Sequence, residues 1–504
     1  MTGKGFLKNF VFATSSALMA ANVYGDAGIE LKNNIIDARL GSKRPNIIFI
    51  LADDMGYGDL SCLNPESKIP TPNMDMLAAE SMRFTDAHTP SAVCTPTRYG
   101  VLTGRYCWRS RLKSGVLDGY SNRLIEQDRM TVASILKEKG YNTGCIGKWH
   151  LGLTDTQPVD YSKPLTPGPN ELGFDYWYGI PSSLDMAPYC FIKNGTPTEP
   201  LTAYLDGESM PRFYRAGAAS PNFKVDDVMP NITAKACDFI NSQVKSNSKD
   251  PFFLYFPLTA PHTPWVPLEQ NSQRSKAGIY GDFVTQVDWT VGEILKVVEK
   301  AGIKDNTIII LTSDNGSHIA SIGNHNNGIS DESLYNFGHD ANYIYRGQKS
   351  DVWDGGHRVP FIVRWPGVVA PDSVSDERVS LVDFTATCAA IVGYKLPDNA
   401  AEDSYSILPV LQGKTLSGPL REATVYHSIN GEFGIQKGQW KFIDCDGSGG
   451  WTSGRDGLAG QLYDMVNDPK ETTNLYESPE HQTILTELET LLEKYKTQGY
   501  SRPI

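Results

Sequence analysis

Two continuous apolar runs, each followed by a pair of polar residues, are the strongest pattern along the chain. The runs and their polar pairs are residues 46–52 with Asp53 and Asp54, and residues 307–313 with Asp314 and Asn315. Apolar runs of this length, without alternation, are typical of parallel strands that are buried on both faces. We therefore predict two such strands, with polar side chains at the carboxyl ends, where open α/β sheets bind ligands.

Helical periodicity alternates with these strands. Apolar positions three and four residues apart predict a helix over residues 280–301, which ends at Gly302. This alternation predicts an α/β fold, with a large doubly wound, mixed or parallel sheet flanked by helices over residues 43–410. Residues 154–230 are rich in Pro, Gly, Asn and Tyr, and we expect them to form long loops over the functional face.

Towards the C-terminus the pattern changes to short apolar segments. Strands are predicted within residues 424–428, 433–443 and 461–465, and an apolar stripe predicts a closing helix over residues 484–495. Residues 411–504 are therefore expected to form a smaller α+β subdomain, which combines an antiparallel sheet with one helix.

Residues 1–25 are predicted to be a secretory signal peptide. Lys4 and Lys8 precede the mostly apolar residues 10–21, and small residues follow. A disordered N-terminal tail is the alternative, because polar residues interrupt the apolar stretch. The stretch is too short for a membrane span, so we expect a periplasmic or secreted protein with no membrane partner.

Net charge argues against a nucleic-acid-binding protein, and cysteine spacing argues against a structural zinc site. The 504 residues carry a formal net charge of −12, which argues against nucleic acid as a partner. None of the spacings among the eight cysteines is Cys-x-x-Cys, so a structural zinc site is not expected.

Cys94 lies at the predicted start of a helix. Pro96 suits a first helical turn and Thr95 is predicted to be the N-cap, so backbone N–H groups there would face a bound anion. Arg98, four residues further on, shares a helical face with Cys94. Taken alone, Cys94 could also be a low-pKa thiol nucleophile or a buried structural cysteine.

Further along the chain, a cation and a titratable base stand two residues apart. In an extended segment, Lys148 and His150 project to the same side. His262 follows a proline and Lys349 ends the run Tyr-Arg-Gly-Gln-Lys; by itself, each would be an ordinary surface residue.

The polar pairs after the two strands offer only oxygen ligands. Three carboxylates and one amide suit a hard divalent cation such as calcium or magnesium, and not zinc. Each residue also has a simpler interpretation as a helix cap or turn residue.

The run Cys94-Thr-Pro-Thr-Arg98 resembles the signature of formylglycine-dependent sulfatases, in the alkaline-phosphatase-like superfamily. Residues 140–150 resemble the second signature of that family. The chain also has the family's order of an aspartate pair, a cysteine at the formylglycine position, Lys-x-His, a histidine after proline, Asp-Asn-Gly and a late lysine. The resemblance runs from about residue 45 to the C-terminus, and it implies the fold described above and the hydrolysis of sulfate esters.

The resemblance also implies a metal centre and a modified residue. The implied metal ligands are Asp53, Asp54, Asp314, Asn315 and residue 94, with Ca²⁺ expected ahead of Mg²⁺. Cys94 would be oxidised to formylglycine (3-oxoalanine) by a formylglycine-generating or anaerobic sulfatase-maturating enzyme.

Catalytic roles follow from the same resemblance. Arg98 would hold the formylglycine hydrate, and one hydroxyl of this gem-diol would attack sulfur. Lys148 and Lys349 would bind the sulfate oxygens. His262 would protonate the departing sugar oxygen, and His150 would take a proton from the second hydroxyl.

The substrate is expected to be a sulfated oligo- or polysaccharide, since residues 345–360 resemble bacterial sulfatases in polysaccharide degradation. A galactose or N-acetylgalactosamine sulfate is the specific expectation. His325 and His357 are predicted to contact the substrate, although hydrogen bonds within their loops explain them equally well. Two other functions stay open: a phosphate or phosphonate monoester hydrolase of the same superfamily, and a catalytically silent glycan-binding relative.

Overall fold

The two predicted strands lie side by side within a ten-stranded mixed sheet. The structure is a computed structural model that describes residues 44–245, 250–318 and 337–504. Residues 45–504 group as one compact unit. The predicted signal peptide, residues 1–25, and the predicted substrate contact His325 lie outside the described residues.

The strands of the described residues are short outside the centre of the large sheet. In chain order they are β1 (Asn46–Asp53), β2 (Met82–Phe84), β3 (Ala87–His88), β4 (Asn142–Lys148), β5 (Tyr176–Ile180), β6 (Ile192–Lys193), β7 (Thr196–Pro197), β8 (Ala203–Leu205), β9 (Gly217–Ala219), β10 (Phe252–Pro261), β11 (Thr307–Ser313), β12 (Phe361–Arg364), β13 (Ser373–Ser375), β14 (Val379–Ser380), β15 (Thr424–His427), β16 (Phe433–Lys437), β17 (Trp440–Ile443) and β18 (Gln461–Asp464).

The α-helices differ widely in length. They are α1 (Pro72–Ala79), α2 (Cys94–Thr103), α3 (Val132–Glu138), α4 (Val228–Lys245), α5 (Gly278–Lys300), α6 (Asp354–His357), α7 (Asp383–Ile391), α8 (Leu408–Leu411) and α9 (Gln482–Gln498). Single 3₁₀ turns lie at Tyr57–Asp59, Cys107–Arg109, Pro169–Leu172, Val225–Asp227, Glu269–Asn271, Lys304–Asn306 and Pro479–His481. Within the described ranges, no helix combines the length and the apolar content that a membrane crossing requires.

The large sheet has the strand order β13-β2-β12-β11-β1-β10-β4-β5-β6-β7. Its central strands, from β11 to β5, are parallel to one another. β12 is antiparallel to both β11 and β2, and β6 is antiparallel to both β5 and β7. The parallel register of β1 and β11 brings their carboxyl ends to the same edge of the sheet.

Both faces of this sheet are covered, because successive residues of β1 point to opposite sides. Ile48 and Ile50 belong to the apolar core that includes Val287 of α5. Phe49 points the other way, and its ring centroid lies 4.3 Å from that of Phe384 in α7. Helices on both faces confirm the predicted doubly wound architecture.

The C-terminal strands form a separate four-stranded antiparallel sheet in the order β15 to β18. Leu488 and Leu492 of α9 pack with Ile435 and Phe442 of this sheet. The predicted combination of an antiparallel sheet with a closing helix is therefore confirmed, while the boundary at residue 410 stays a prediction.

Residues 154–230, which we predicted to be long loops, also contain strands β5 to β9 and the first residues of α4. β5 pairs in parallel with β4, from Gly144 opposite Tyr176 to Lys148 opposite Ile180, and so widens the large sheet. The sequence did not predict β5 because its five residues are too few to show a period among the surrounding turn residues.

Candidate active site

Carboxylates from two neighbouring strands meet the start of a helix. Asp53 ends β1, Asp314 directly follows β11, and Cys94 is the first residue of α2. One carboxylate oxygen from each aspartate and the Cys94 sulfur all lie within 4.8 Å of one another, and all three side chains are buried. This convergence follows from the parallel register of the two strands, which end at the same edge of the sheet.

Arg98 links the helix to both carboxylates. Its Nε and Nη2 donate to Asp314 Oδ2 at 2.9 and 2.6 Å, and Nη2 lies 3.4 Å from Asp53 Oδ1. Its Nη1 donates to the carbonyl oxygen of Lys148 at 2.9 Å. With 0% exposure, Arg98 provides a fixed positive charge beside Cys94.

The helix start differs from the prediction at Thr95. Val93 is the N-cap residue, with no side-chain cap, and Thr95 lies inside the first turn. The Thr95 hydroxyl donates to the carbonyl oxygen of His150 at 3.0 Å. The prediction of Thr95 as N-cap is wrong, because its hydroxyl binds a partner that is distant in the sequence, although Cys94 does begin the helix.

Lys148 neutralises Asp53 inside the protein. Its Nζ donates to Asp53 Oδ1 and Oδ2 at 2.9 and 2.7 Å, and to Ser183 Oγ at 3.3 Å. Burial alone would raise the pKa of Asp53, but Lys148, His262 and Arg98 hold it well below its ordinary value. Asp53 is therefore a buried carboxylate in its charged form.

His150 lies beyond the end of β4, in a left-handed conformation with a φ of 57°. The predicted extended segment does not continue to His150, because the chain turns after Lys148. The His150 Nε2 donates to the carbonyl oxygen of Leu117 at 2.7 Å, and Nδ1 is buried without a hydrogen-bond partner among the described residues. Burial, Lys148 and Arg98 all hold the pKa of His150 well below its ordinary value. The ring is neutral, and its Nδ1 can accept a proton.

Asp54 contacts the other polar side chains of the site. Its Oδ1 accepts a hydrogen bond from Asn315 Nδ2 at 2.7 Å, and its Oδ2 accepts one from Lys349 Nζ at 2.8 Å. His318 Nδ1 and His262 Nε2 lie 3.3 and 3.7 Å from Asp54 Oδ2. Burial opposes the charge of Asp54, but Lys349 and the two histidines keep its pKa well below the ordinary value.

One hydrogen bond defines which nitrogen of His262 titrates. Its Nδ1 donates to the carbonyl oxygen of Thr263 at 2.7 Å, since a carbonyl oxygen can only accept. Its Nε2 therefore faces Ser183 Oγ, 3.5 Å away, and Asp54. Burial and the charge of Lys349 lower the pKa of His262, so Nε2 releases a proton easily.

The oxygen ligands fit a hard divalent cation. Asn315 Oδ1 is buried and has no hydrogen-bond partner among the described residues, which is an arrangement that folded proteins seldom tolerate. Burial raises the pKa of Asp314 despite the contact with Arg98. A cation held by the oxygens of Asp53, Asp54, Asp314 and Asn315 would give Asn315 Oδ1 a partner and would favour the charged form of Asp314.

Burial also raises the pKa of the Cys94 thiol, and Lys148 and Lys349 only oppose this effect. An unmodified Cys94 is therefore a protonated thiol, which argues against the alternative of an ordinary low-pKa nucleophile.

Comparison with known families adds to this geometry. The sulfatase family model matches residues 45–394, and the model of the C-terminal part of N-sulphoglucosamine sulphohydrolase matches residues 348–498. The chain belongs to the sulfatase family. It is a sulfatase, an enzyme that hydrolyses sulfate esters, and members of this family use a formylglycine and a divalent metal.

Several relatives align with this sulfatase over most of their length. An N-acetylgalactosamine-6-O-sulfatase of Bacteroides thetaiotaomicron is 37% identical over 498 residues, covering 91% of this chain and 94% of the relative. Human arylsulfatase A is 31% identical over 458 residues, covering 86% and 84% of the two chains. A solved structure from work on the metabolism of multiple glycosaminoglycans by Bacteroides thetaiotaomicron has a TM-score of 0.81 and 36% identity, covering 91% of this chain and all of that one.

His357 of this sulfatase lies in a different, buried cluster. Its Nδ1 lies 2.9 Å from His88 Nδ1, and its Nε2 lies 3.0 Å from the Val352 carbonyl oxygen and 3.2 Å from Lys441 Nζ. The ring stacks on Tyr426 with centroids 3.9 Å apart and is 0% exposed. The predicted contact of His357 with substrate is not supported by this placement, because neighbours within the fold already engage both of its nitrogens.

The sequence did not predict three residues near the catalytic groups of the sulfatase: Ser183, His318 and Trp451. Ser183 contacts Lys148 and His262, but it comes from the turn after β5 and has no local signature. His318 follows Asp314 by four residues, and that spacing was the available signal. The Trp451 ring centroid lies 5.9 Å from Lys349 Nζ.

Proposed function

We propose that this sulfatase removes the 6-O-sulfate of N-acetylgalactosamine, or of galactose, in sulfated oligosaccharides derived from polysaccharides such as glycosaminoglycans. The observation that carries the proposal is the 37% identity with a curated N-acetylgalactosamine-6-O-sulfatase across 91% of this chain. The buried positive charges of Arg98, Lys148 and Lys349 around residue 94 support it, since a sulfate ester is an anion.

We further propose that Cys94 is the precursor of formylglycine, and that a formylglycine-generating or anaerobic sulfatase-maturating enzyme performs the conversion. A hydrated aldehyde at position 94 would offer two hydroxyl groups close to Arg98. One would attack sulfur and expel the sugar oxygen, and the other would lose its proton so that sulfate leaves and the aldehyde is restored.

The proposed metal is Ca²⁺, held by Asp53, Asp54, Asp314, Asn315 and residue 94, and Mg²⁺ is the alternative. When bound, it would supply positive charge close to residue 94 and to the sulfate oxygens. Around it, Lys148 and Lys349 balance the charges of Asp53 and Asp54, each through contacts shorter than 3.0 Å.

Two histidines suit the proton transfers. His262 Nε2 is the titrating nitrogen, because Nδ1 donates to the Thr263 carbonyl oxygen, so Nε2 would protonate the departing sugar oxygen. His150 Nδ1 is a neutral acceptor, because Nε2 is committed to Leu117, so it would take the proton of the second hydroxyl. Because the chain retains every group that these steps require, we favour an active sulfatase over a silent glycan-binding relative.

We also propose that residues 1–25 direct the enzyme to the periplasm or outside the cell, where polysaccharides are degraded. Attachment of these residues to a reporter enzyme, followed by fractionation of the bacterial cells, tests this localisation.

The test of function is sulfate release by protein that was co-produced with a formylglycine-generating enzyme. The substrates are 6-sulfated and 4-sulfated N-acetylgalactosamine, 6-sulfated galactose and 6-sulfated N-acetylglucosamine, and the control is Cys94→Ala. We expect release from the 6-sulfated galacto sugars by the parent alone. Release from none of these sugars, with formylglycine confirmed by peptide mass spectrometry, would refute the proposed substrate.

A further inference from the structure

One exposed aromatic side chain lies next to the sulfate-binding groups. All nine tryptophans fall within the described ranges, and Trp451, at 40% exposure, is the only exposed one. Isolated apolar side chains on a surface need no explanation, but a tryptophan beside a buried lysine of an active site is a different situation.

Trp451 lies beside Lys349 and is much more exposed. Asp54 is 1% exposed, Lys349 is 5% exposed and Trp451 is 40% exposed, so exposure increases from the carboxylate to the indole. The Lys349 ammonium contacts the Asp54 carboxylate at 2.8 Å on one side, and lies 5.9 Å from the centroid of the Trp451 ring. The indole is thus an exposed aromatic surface beside the Lys349 ammonium group.

The backbone around Trp451 is held firmly against the segment that carries Lys349. The Trp451 N–H donates to Ser350 Oγ at 2.8 Å, and the Thr452 N–H donates to Asp351 Oδ1 at 3.1 Å. At Gly450 a Cβ atom would lie 2.4 Å from the Ser350 carbonyl oxygen, so only glycine permits this approach. The loop between β17 and β18 thus places the indole beside the lysine.

We propose that Trp451 is the platform on which the sulfated sugar ring stacks while Lys349 holds its sulfate. This inference rests on the proposed carbohydrate substrate. A sulfate oxygen that accepts from Lys349 lies about 3 Å from Nζ. The sugar is joined to that sulfate through the ester oxygen, so its ring falls beside the indole. In a galacto-configured sugar the axial O4 leaves an apolar C–H face on the opposite side, which suits stacking on an aromatic ring.

The experiment compares Trp451→Ala and Trp451→Phe with the parent, all matured, on the 6-sulfated monosaccharide that the parent desulfates. Trp440→Phe is the matched control. Trp440 is a half-buried tryptophan at the start of β17, and its ring packs on His481. Inhibition by inorganic sulfate is measured in parallel, because this ion binds the sulfate-holding groups without a sugar ring.

We expect Trp451→Ala to lower kcat/KM about tenfold, mostly through KM, and Trp451→Phe to lower it less, since phenylalanine keeps an aromatic face. The inhibition constant of inorganic sulfate should stay unchanged, and the control should match the parent. Unchanged kcat/KM in Trp451→Ala would overturn the proposal.

Two other outcomes would also overturn it. A weaker inhibition by sulfate, in proportion to the loss of kcat/KM, would show that Trp451 only supports Lys349. A loss confined to oligosaccharides would place the indole on a neighbouring sugar. If the parent hydrolyses an aryl sulfate but no sulfated sugar, the proposed substrate is wrong, and the proposed stacking is wrong with it. If the parent hydrolyses the sulfated sugar and the Trp451 variants do not behave as expected, only the role proposed for Trp451 is wrong.

Discussion

The ammonium group of Lys148 lies 2.9 and 2.7 Å from the two carboxylate oxygens of Asp53, and both side chains are fully buried. This pair joins the end of β4 to the end of β1 across the intervening strand β10. Removal of one partner from a buried pair leaves an unpaired charge in a medium of low polarity, so the pair couples the stability of the sheet edge to the chemistry of the site.

Lys148→Met is expected to lower both activity and stability. The loss of a positive charge near the sulfate should reduce kcat about 100-fold or more, and the unpaired Asp53 should lower the free energy of unfolding by about 3 kcal/mol. Sulfate release and urea unfolding measure the two effects. Lys296→Met, at an exposed lysine that pairs with Glu293, is the control and should change neither.

Chelation should reduce activity and thermal stability together, because buried oxygens of like charge then lose their shared counter-ion. Calcium should restore both, and zinc should not, since the ligands are oxygens. Thermal unfolding with and without a chelator measures the effect. In Asn315→Ala the calcium-dependent rise in Tm should be smaller than in the parent. An equal rise in the two proteins would contradict Asn315 as a ligand.

Cys94→Ser should be sulfated once and then stop. A serine hydroxyl can attack sulfur, but it lacks the second hydroxyl whose deprotonation releases sulfate, so the covalent ester should accumulate. Peptide mass spectrometry after incubation with substrate detects the added sulfo group. Cys94→Ala should show neither modification nor turnover, and normal sulfate release by it would contradict the proposed nucleophile.

His357→Ala should affect stability and leave substrate binding unchanged. The ring is fully buried and stacks on Tyr426. Its removal leaves a cavity, which should lower the free energy of unfolding by about 3 kcal/mol. Urea unfolding measures this loss, and KM for the sulfated sugar should match that of the parent. A raised KM with unchanged stability would restore the substrate contact that the sequence predicted.

His427 should make the protein less stable in mild acid. Burial lowers its pKa from 6.5 to about 4, so the unfolded chain binds more protons than the folded one between these values. Stability therefore falls as the pH drops below the unfolded pKa, by about 2 kcal/mol for this group between roughly pH 7 and pH 5. Urea unfolding at both pH values should show a smaller fall in His427→Gln than in the parent.

The strand ends and the order of the motifs were predictable from local sequence. β1 and β11 are apolar runs that only a doubly covered sheet can bury, so Asp53, Asp54, Asp314 and Asn315 had to follow strand ends. The orientations of Thr95 and His150 were less predictable, because each depends on a hydrogen bond to a residue distant in the sequence. The Thr95 hydroxyl donates to the His150 carbonyl oxygen, and the His150 ring donates to the Leu117 carbonyl oxygen.

By itself, the sequence determined the α/β class, the C-terminal sheet with its helix, and the residue types of a sulfatase site. These depend on periodicity and on short motifs, which are local properties of the chain. Only the tertiary structure decided that Ser183 and His318 join the site, that His357 lies in a buried cluster, and that Trp451 lies beside Lys349. Contacts of this kind join segments far apart in sequence, so they depend on strand order and loop packing rather than on any local pattern.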